Sequence, residues 1–132
     1  MRLWHTKLIP YLPKSQLLAQ WRELNSIFAK EDQHILINYI YEYPKEDLYH
    51  YTKLVIEEMQ KRSFQIRTMD KMERYFAHIQ PNKVAAPFAN HHNAQYLTIC
   101  YYNLLKKYIR GQKDFSKEHF DKLQAFYNEK QE

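Results

Sequence analysis

The chain has 132 residues, of which 45% are hydrophobic, one is glycine and five are proline. A chain of this length can bury one core, and so little glycine disfavours the turns of strand-rich folds, so we expect a single all-α domain over residues 1–132, a compact helical bundle. Twenty Lys and Arg against fifteen Asp and Glu give a formal charge of +5, which favours an anionic partner, either nucleic acid or an anionic protein or membrane surface.

Cysteine usage and hydropathy indicate the compartment. The single cysteine, Cys100, excludes an internal disulfide and is typical of a reducing cytoplasm. No apolar run approaches the roughly 18 residues that a transmembrane helix needs, and the N-terminus lacks the apolar stretch of a signal peptide. We therefore expect a cytoplasmic protein that does not use a membrane.

The first twelve residues hold apolar side chains without a helical repeat, and Pro10 and Pro13 close the segment. We predict that residues 1–12 are extended or irregular and lie across the helices. The side chains available to pin this segment to the body are Leu3, Trp4, Leu8 and Ile9.

The first helix is predicted over residues 13–28. Apolar residues recur there at steps of four, three and four, so they fall within a narrow arc of a 3.6-residue helix and should face the core. These residues are Leu17, Trp21, Leu24 and Phe28.

An Arg-Glu pair, Arg22 and Glu23, flanks this apolar stripe. At 100° per residue Glu23 lies about 120° from the centre of the stripe, so it can project into a cleft without entering the core. The alternative is a solvated surface pair, which is common for charged residues on a helix flank. Its neighbours on the helix surface are Gln16, Ala19, Gln20 and Ile27.

In the middle of the chain the sequence predicts two clear helices, one ambiguous segment and one loop. Residues 33–43 are either a short strand or a helix, and we favour a helix. Pro44 opens a helix over residues 45–62 with a stripe of Leu48, Tyr51, Val55 and Met59, and Thr68 caps a shorter helix. Residues 80–90 contain two prolines and no repeat, so they are predicted to form a loop of the length found at active sites.

Two more helices are predicted near the C-terminus. The first covers residues 91–110 and ends at the only glycine, Gly111, where a left-handed cap is needed. The last begins at Ser116, with Phe115 and Phe120 spaced as a hydrophobic staple.

Three segments resemble one known family. They are QLLAQWRELNSIF, DLYHYTKLVIEEMQKRSFQI at residues 47–66, and HHNAQYLTICYYNLLKKYIRG at residues 91–111. Together they cover about half of the chain, and they are similar to the pyrimidine-dimer DNA glycosylases, the small endonuclease V type of repair enzyme. The Arg-Glu pair in its apolar frame is the most distinctive part of the resemblance.

The resemblance implies a mechanism. In that family the α-amine of the first residue attacks the sugar of a damaged nucleotide, and the resulting imine permits cleavage of the strand at the abasic site. Because Arg2 is too bulky for ordinary methionine removal, the amine here would belong to Met1. Glu23 would stabilise the cationic imine and move protons.

The resemblance also implies how DNA is bound. Arg2 and Arg22 would hold phosphates flanking the lesion, and His92 would line the same cleft as Glu23. Lys106 and Lys107, in the last turns of the 91–110 helix, are further candidates for DNA contact. We expect double-stranded DNA as the partner, no cofactor, and action as a monomer.

The sequence departs from the family pattern at three places. Met1 and Arg2 stand where the family has a small residue followed by Arg, and the alignment needs a one-residue shift before Pro13. The family carries an arginine three residues after its Glu, where this chain has Ser26, and its Trp-Tyr-rich tail is replaced by AFYNEKQE. Pyrimidine dimers as the substrate are therefore less firmly implied than the chemistry of an amine with Glu23.

The histidines and the basic surface leave alternatives. His91 and His92, with His5 and His34, could ligate a metal, but no HxxxH or HExxH spacing is present, so we expect no metal site. His92 could instead satisfy the N-terminus of its own helix. The alternative to a repair enzyme is a non-catalytic helical module that binds nucleic acid or protein through its basic face.

Overall fold

The computed structural model describes residues 1–80 and 84–131 and confirms an all-α fold, with no β-strand within those ranges. The α-helices are α1 (Lys14–Lys30), α2 (Lys45–Lys61), α3 (Asp70–Tyr75), α4 (Ala94–Ile109) and α5 (Lys117–Lys130). Two 3₁₀-helices, Thr6–Tyr11 and Asn38–Glu42, precede α1 and α2. Within the described residues, no helix combines the length and apolar character that crossing a bilayer requires.

The caps around α4 and α5 form as their local sequence predicts. Gly111 has φ +83° and its N–H donates to the carbonyl of Tyr108 at 3.0 Å, while Gln112 N–H donates to Lys107 at 3.2 Å, the paired bonds of a Schellman cap. The Ser116 hydroxyl accepts from His119 N–H. Phe115 and Phe120 are both buried with ring centroids 5.9 Å apart, which confirms the staple.

The buried face of α1 is rotated from the predicted stripe. Leu17, Leu24 and Phe28 are buried as predicted, but Trp21 is only half-buried. Gln20 and Ile27, which the helical wheel placed beside Glu23 outside the core, are both fully buried. Glu23 therefore stands at the edge of the core.

Three segments differ from the sequence prediction in their structure or in where a helix begins. The N-terminal segment contains a 3₁₀-helix, Thr6–Tyr11, where we expected no helix, because the His5 imidazole accepts the N–H of Lys7 and caps its start. Residues 33–43 form a turn followed by a short 3₁₀-helix. The fourth α-helix begins at Ala94 rather than residue 91, since the Asn93 side chain caps it by accepting from Tyr96 N–H.

The predicted 80–90 loop falls partly on residues 81–83, outside the described residues. Residues 84–93 form turns.

The N-terminal segment packs against several helices of the bundle. Its 3₁₀-helix packs on α2, α4 and α5, whereas α1 packs on α2 and α3. Arg62 at the end of α2 donates to the carbonyls of Leu12 at 2.7 Å and Pro10 at 3.1 Å. The prediction that this segment lies across the helices is confirmed. The buried side chains of the segment are Leu3, Trp4, His5, Leu8, Ile9 and Leu12.

Candidate active site

Gln20 holds the backbone of the first residues. Its side chain is fully buried, and its Oε1 accepts from the backbone N–H of Trp4 at 2.9 Å and from the Tyr51 hydroxyl at 2.8 Å. Its Nε2 donates to the carbonyl of Arg2 at 3.0 Å and to Glu23 Oε2 at 3.2 Å. One buried amide therefore sets the position of the N-terminal backbone and of the Glu23 carboxylate relative to each other.

Two tyrosines fix the same stretch of backbone from other helices. The hydroxyl of Tyr51 on α2 lies 2.7 Å from the carbonyl oxygen of Trp4, and the hydroxyl of Tyr96 on α4 donates to the carbonyl of Leu3 at 2.5 Å. Both rings are buried. Three helices thus hold residues 2–4, the backbone that directly follows Met1.

Met1 and Glu23 both line a cavity of about 310 Å³. It contains two of the residues named for chemistry, Met1 and Glu23, and two of the residues named for DNA binding, Arg2 and Lys107. The remaining lining residues are Trp4, Gln16, Ala19, Leu36 and Asn103. The structure therefore brings together four sequence-predicted residues that come from the N-terminus, α1 and α4.

The surroundings of the Glu23 carboxyl shift its pKa. Burial raises its pKa, against the opposing effects of the α-amino group, a hydrogen bond from the Arg2 backbone N–H, and the charges of Arg22 and His34. The positive α-amine is the largest of these opposing effects. A carboxyl group with a raised pKa beside an amine can accept and return protons more readily than a solvated one.

Comparison with known proteins identifies a family. The family model of pyrimidine dimer DNA glycosylase matches residues 1–72, which is more than half of the chain. The chain belongs to this family. No curated protein and no solved structure matches it.

Membership of the pyrimidine dimer DNA glycosylase family implies DNA as the substrate and base removal as the class of reaction. The matched region contains Met1, Arg2, Arg22 and Glu23. It ends before α4, so the resemblance of residues 91–111 to the family stays a prediction.

Arg22 faces a different cavity from its neighbour Glu23. This second cavity, of about 840 Å³, lies between α1 and the segment that leads into α3. Ser26, Arg67 and Lys71 line it together with Arg22. Where the glycosylase family has an arginine, Ser26 instead donates a hydrogen bond to the Asp32 carboxylate, and positive charge reaches the cavity from Arg67 and Lys71.

His92 lies outside both cavities. Its Nδ1 accepts from the backbone N–H of Thr6 at 3.1 Å, so in the neutral ring the proton is on Nε2, which lies 2.6 Å from the Tyr39 hydroxyl. Asn93, not His92, caps α4. The structure therefore places His92 against the N-terminal segment. It does not line the Glu23 cavity or cap α4.

Lys106 is exposed and lies outside the cavity that Lys107 lines. The described ranges contain no group of three or more His, Cys, Asp or Glu side chains arranged to hold a metal ion.

We expect the buried histidines to make the fold acid-sensitive. Burial lowers the pKa of His92 to about 3 and the pKa of His5 to about 4. Both are neutral in the folded protein, whereas the unfolded chain protonates them near pH 6.5. Their contribution to stability is therefore full above pH 6.5 and is lost as the pH falls toward 3. Between pH 7 and 4.5 His92 alone should account for about 2 kcal/mol of the free energy of unfolding.

Urea unfolding at pH 7 and pH 4.5 measures this effect. His92→Gln should show a smaller loss of stability on acidification than the wild type, and His78→Gln, at an exposed histidine, should keep the wild-type dependence. Equal pH dependence in wild type and His92→Gln would contradict the assignment.

The hydrogen bonds of Gln20 and Tyr51 to the N-terminal backbone were not predicted from the sequence. A signal for Gln20 was present, since it lies three residues after Leu17 and four before Leu24, on the face that both of these buried residues define. A polar residue at such a position must find buried partners. Tyr51 was predicted to be buried, but nothing in the local sequence indicates where its hydroxyl points.

Proposed function

We propose that the protein is a DNA N-glycosylase with abasic-site lyase activity, acting through an imine formed by the Met1 α-amine. One observation carries the proposal: Gln20, Tyr51 and Tyr96 hold the backbone of residues 2–4 so that Met1 shares a cavity with the half-buried Glu23. An amine can serve as a nucleophile only when it is held at the reacting atom.

The chemistry follows from the pair. The neutral amine attacks C1′ of the damaged nucleotide, the bond from C1′ to the base breaks, and the base leaves with a proton. The ring oxygen then takes up a proton as the sugar opens and the imine forms. Loss of a C2′ proton breaks the C3′–O bond by β-elimination, and water releases the amine from the sugar fragment.

Glu23 has two tasks in this scheme. As a carboxylate it stabilises the positive charge that develops on C1′ and then on the imine nitrogen. As an acid–base group it carries protons to the ring oxygen and from C2′. The raised pKa of its carboxyl supports the second task, because proton exchange is most efficient when the pKa approaches the working pH.

The basic side chains around the two cavities suggest the DNA path. Arg2 and Lys107 line the Glu23 cavity, and Arg22, Arg67 and Lys71 line the other. We propose that phosphates on either side of the lesion contact these two groups. The substrate is double-stranded DNA carrying pyrimidine dimers or related damage, and the protein acts as a cytoplasmic monomer, with Arg67 and Lys71 supplying the charge that the family places at the position of Ser26.

Borohydride trapping tests the proposal. The protein is mixed with duplex DNA containing one abasic site, and borohydride is added to reduce any imine to a stable amine. We expect a covalent complex whose peptide map places the DNA on Met1, in protein whose intact mass shows that Met1 is retained. Binding without any covalent complex would favour the non-catalytic module.

A further inference from the structure

A turn at the rim of the Glu23 cavity presents apolar side chains to solvent. Ile35 is 86% exposed and the adjacent Leu36 is 40% exposed. Leu36 lines the cavity together with Met1, which is itself 38% exposed. Ile35 therefore lies one residue along the chain from the wall of the site where the sugar would react.

Four hydrogen bonds stabilise this turn. Asn38 Oδ1 accepts from the backbone N–H of His34 at 2.7 Å, and His34 Nδ1 accepts from Leu36 N–H at 3.1 Å. The His34 carbonyl accepts from the N–H groups of Ile37 and Asn38, both at 2.9 Å. Ile37 is fully buried. Ile35 is therefore exposed on a hydrogen-bonded turn in which the neighbouring Ile37 is buried.

The location of Ile35 next to a residue that lines the Glu23 cavity distinguishes it from the other exposed apolar residues. A single exposed isoleucine needs no explanation. Two of the large exposed apolar residues in the described part of the chain, Met1 and Leu36, nevertheless line the Glu23 cavity, and Ile35 directly precedes Leu36. The others lie along α2 and α4 and are Leu54, Ile99, Tyr102 and Ile109.

We propose that Ile35, supported by Leu36, is a wedge that enters the DNA base stack beside the damaged nucleotide. The inference rests on the proposed function, because the amine can reach C1′ only if the duplex is opened at the lesion. An apolar side chain without polar atoms can occupy the space left between separated bases, as wedges in other DNA-bending proteins do. Since Leu36 lines the Glu23 cavity, insertion and attack act on the same site in the duplex.

The test compares two isoleucines with similar exposure. Ile35→Ser removes the wedge, and Ile109→Ser, at a residue that is 72% exposed on the last turn of α4, is the control. Single-turnover cleavage is measured on an abasic site in duplex DNA and in a single strand. We expect Ile35→Ser to slow duplex cleavage about tenfold and to leave single-strand cleavage unchanged, whereas Ile109→Ser changes neither. Measurable and equal rates of duplex cleavage for Ile35→Ser and wild type overturn the wedge.

A second measurement separates the wedge from the chemistry. 2-Aminopurine placed next to the abasic site fluoresces more strongly when its base is unstacked, and it is read on binding to Glu23→Gln protein, so no cleavage is needed. The increase should disappear when Ile35→Ser is added to Glu23→Gln and persist when Ile109→Ser is added. If the wild type cleaves nothing but Ile35 still controls the fluorescence, the proposed reaction fails and the wedge stands. Fluorescence that does not depend on Ile35 overturns the wedge.

Discussion

Glu23→Gln should lower the rate of strand cleavage by about two orders of magnitude or more, the scale expected when a positioned acid–base or electrostatic group is lost. The amide keeps the size of the side chain and can still accept the hydrogen bond that Gln20 donates to Glu23. Helix propensity is close for the two residues, so α1 should fold normally. DNA binding should be nearly unchanged. The measurement is cleavage of abasic-site and dimer-containing duplexes at equal occupancy.

The matched control is Glu57→Gln, at an exposed glutamate on α2. It makes the same change of charge away from both cavities and should leave cleavage at the wild-type rate. An unchanged rate on both duplexes for Glu23→Gln would mean that Glu23 is only a partly buried surface carboxylate. The enzymatic proposal would then lose its acid–base group.

Blocking the α-amine should abolish activity altogether. Acetylation, or an N-terminal extension, turns the amine into an amide whose nitrogen lone pair is delocalised, so it can neither attack C1′ nor form an imine. Cleavage and borohydride trapping should both fall below detection, while DNA binding remains measurable. The same extension placed at the C-terminus is the control and should preserve trapping.

One outcome would redirect the assignment of the nucleophile. If the N-terminally acetylated protein still traps abasic-site DNA, a lysine supplies the amine. Lys107 is the first candidate, because it lines the cavity that contains Met1 and Glu23. Peptide mapping of the trapped complex distinguishes the two residues directly.

Local sequence was sufficient for the helices and several of their ends. Gly111 and Ser116 each act within one turn of chain, so their caps could be predicted without knowing the rest of the fold. The N-terminal segment could not be predicted in the same way. Its conformation depends on partners in α1, α2 and α4, and local sequence does not indicate the bonds from Gln20, Tyr51 and Tyr96.

Only part of the candidate site could be predicted from the sequence. The pairing of Met1 with Glu23 came from family resemblance, since the wheel position of Glu23 also fits a solvated residue. Adjacent residues on a helix point about 100° apart, which is why Arg22 and Glu23 line different cavities. The contact of His92 with Thr6 could not be predicted for a related reason: a histidine ahead of a helix does not show which distant backbone it will contact.

The contacts of the N-terminal segment span almost the whole chain. Thr6 bonds to His92 across 86 positions, Leu3 to Tyr96 across 93, and Tyr11 to His119 across 108. During translation the bonds of Leu3, Thr6 and Tyr11 to these partners therefore cannot form until residues 92–119 have been made. Until then only the bonds from Gln20 and Tyr51 are available to hold the N-terminal backbone. Long-range closure of this kind slows folding, so a ribosome-bound chain ending before α4 should trap abasic-site DNA less efficiently than the full chain.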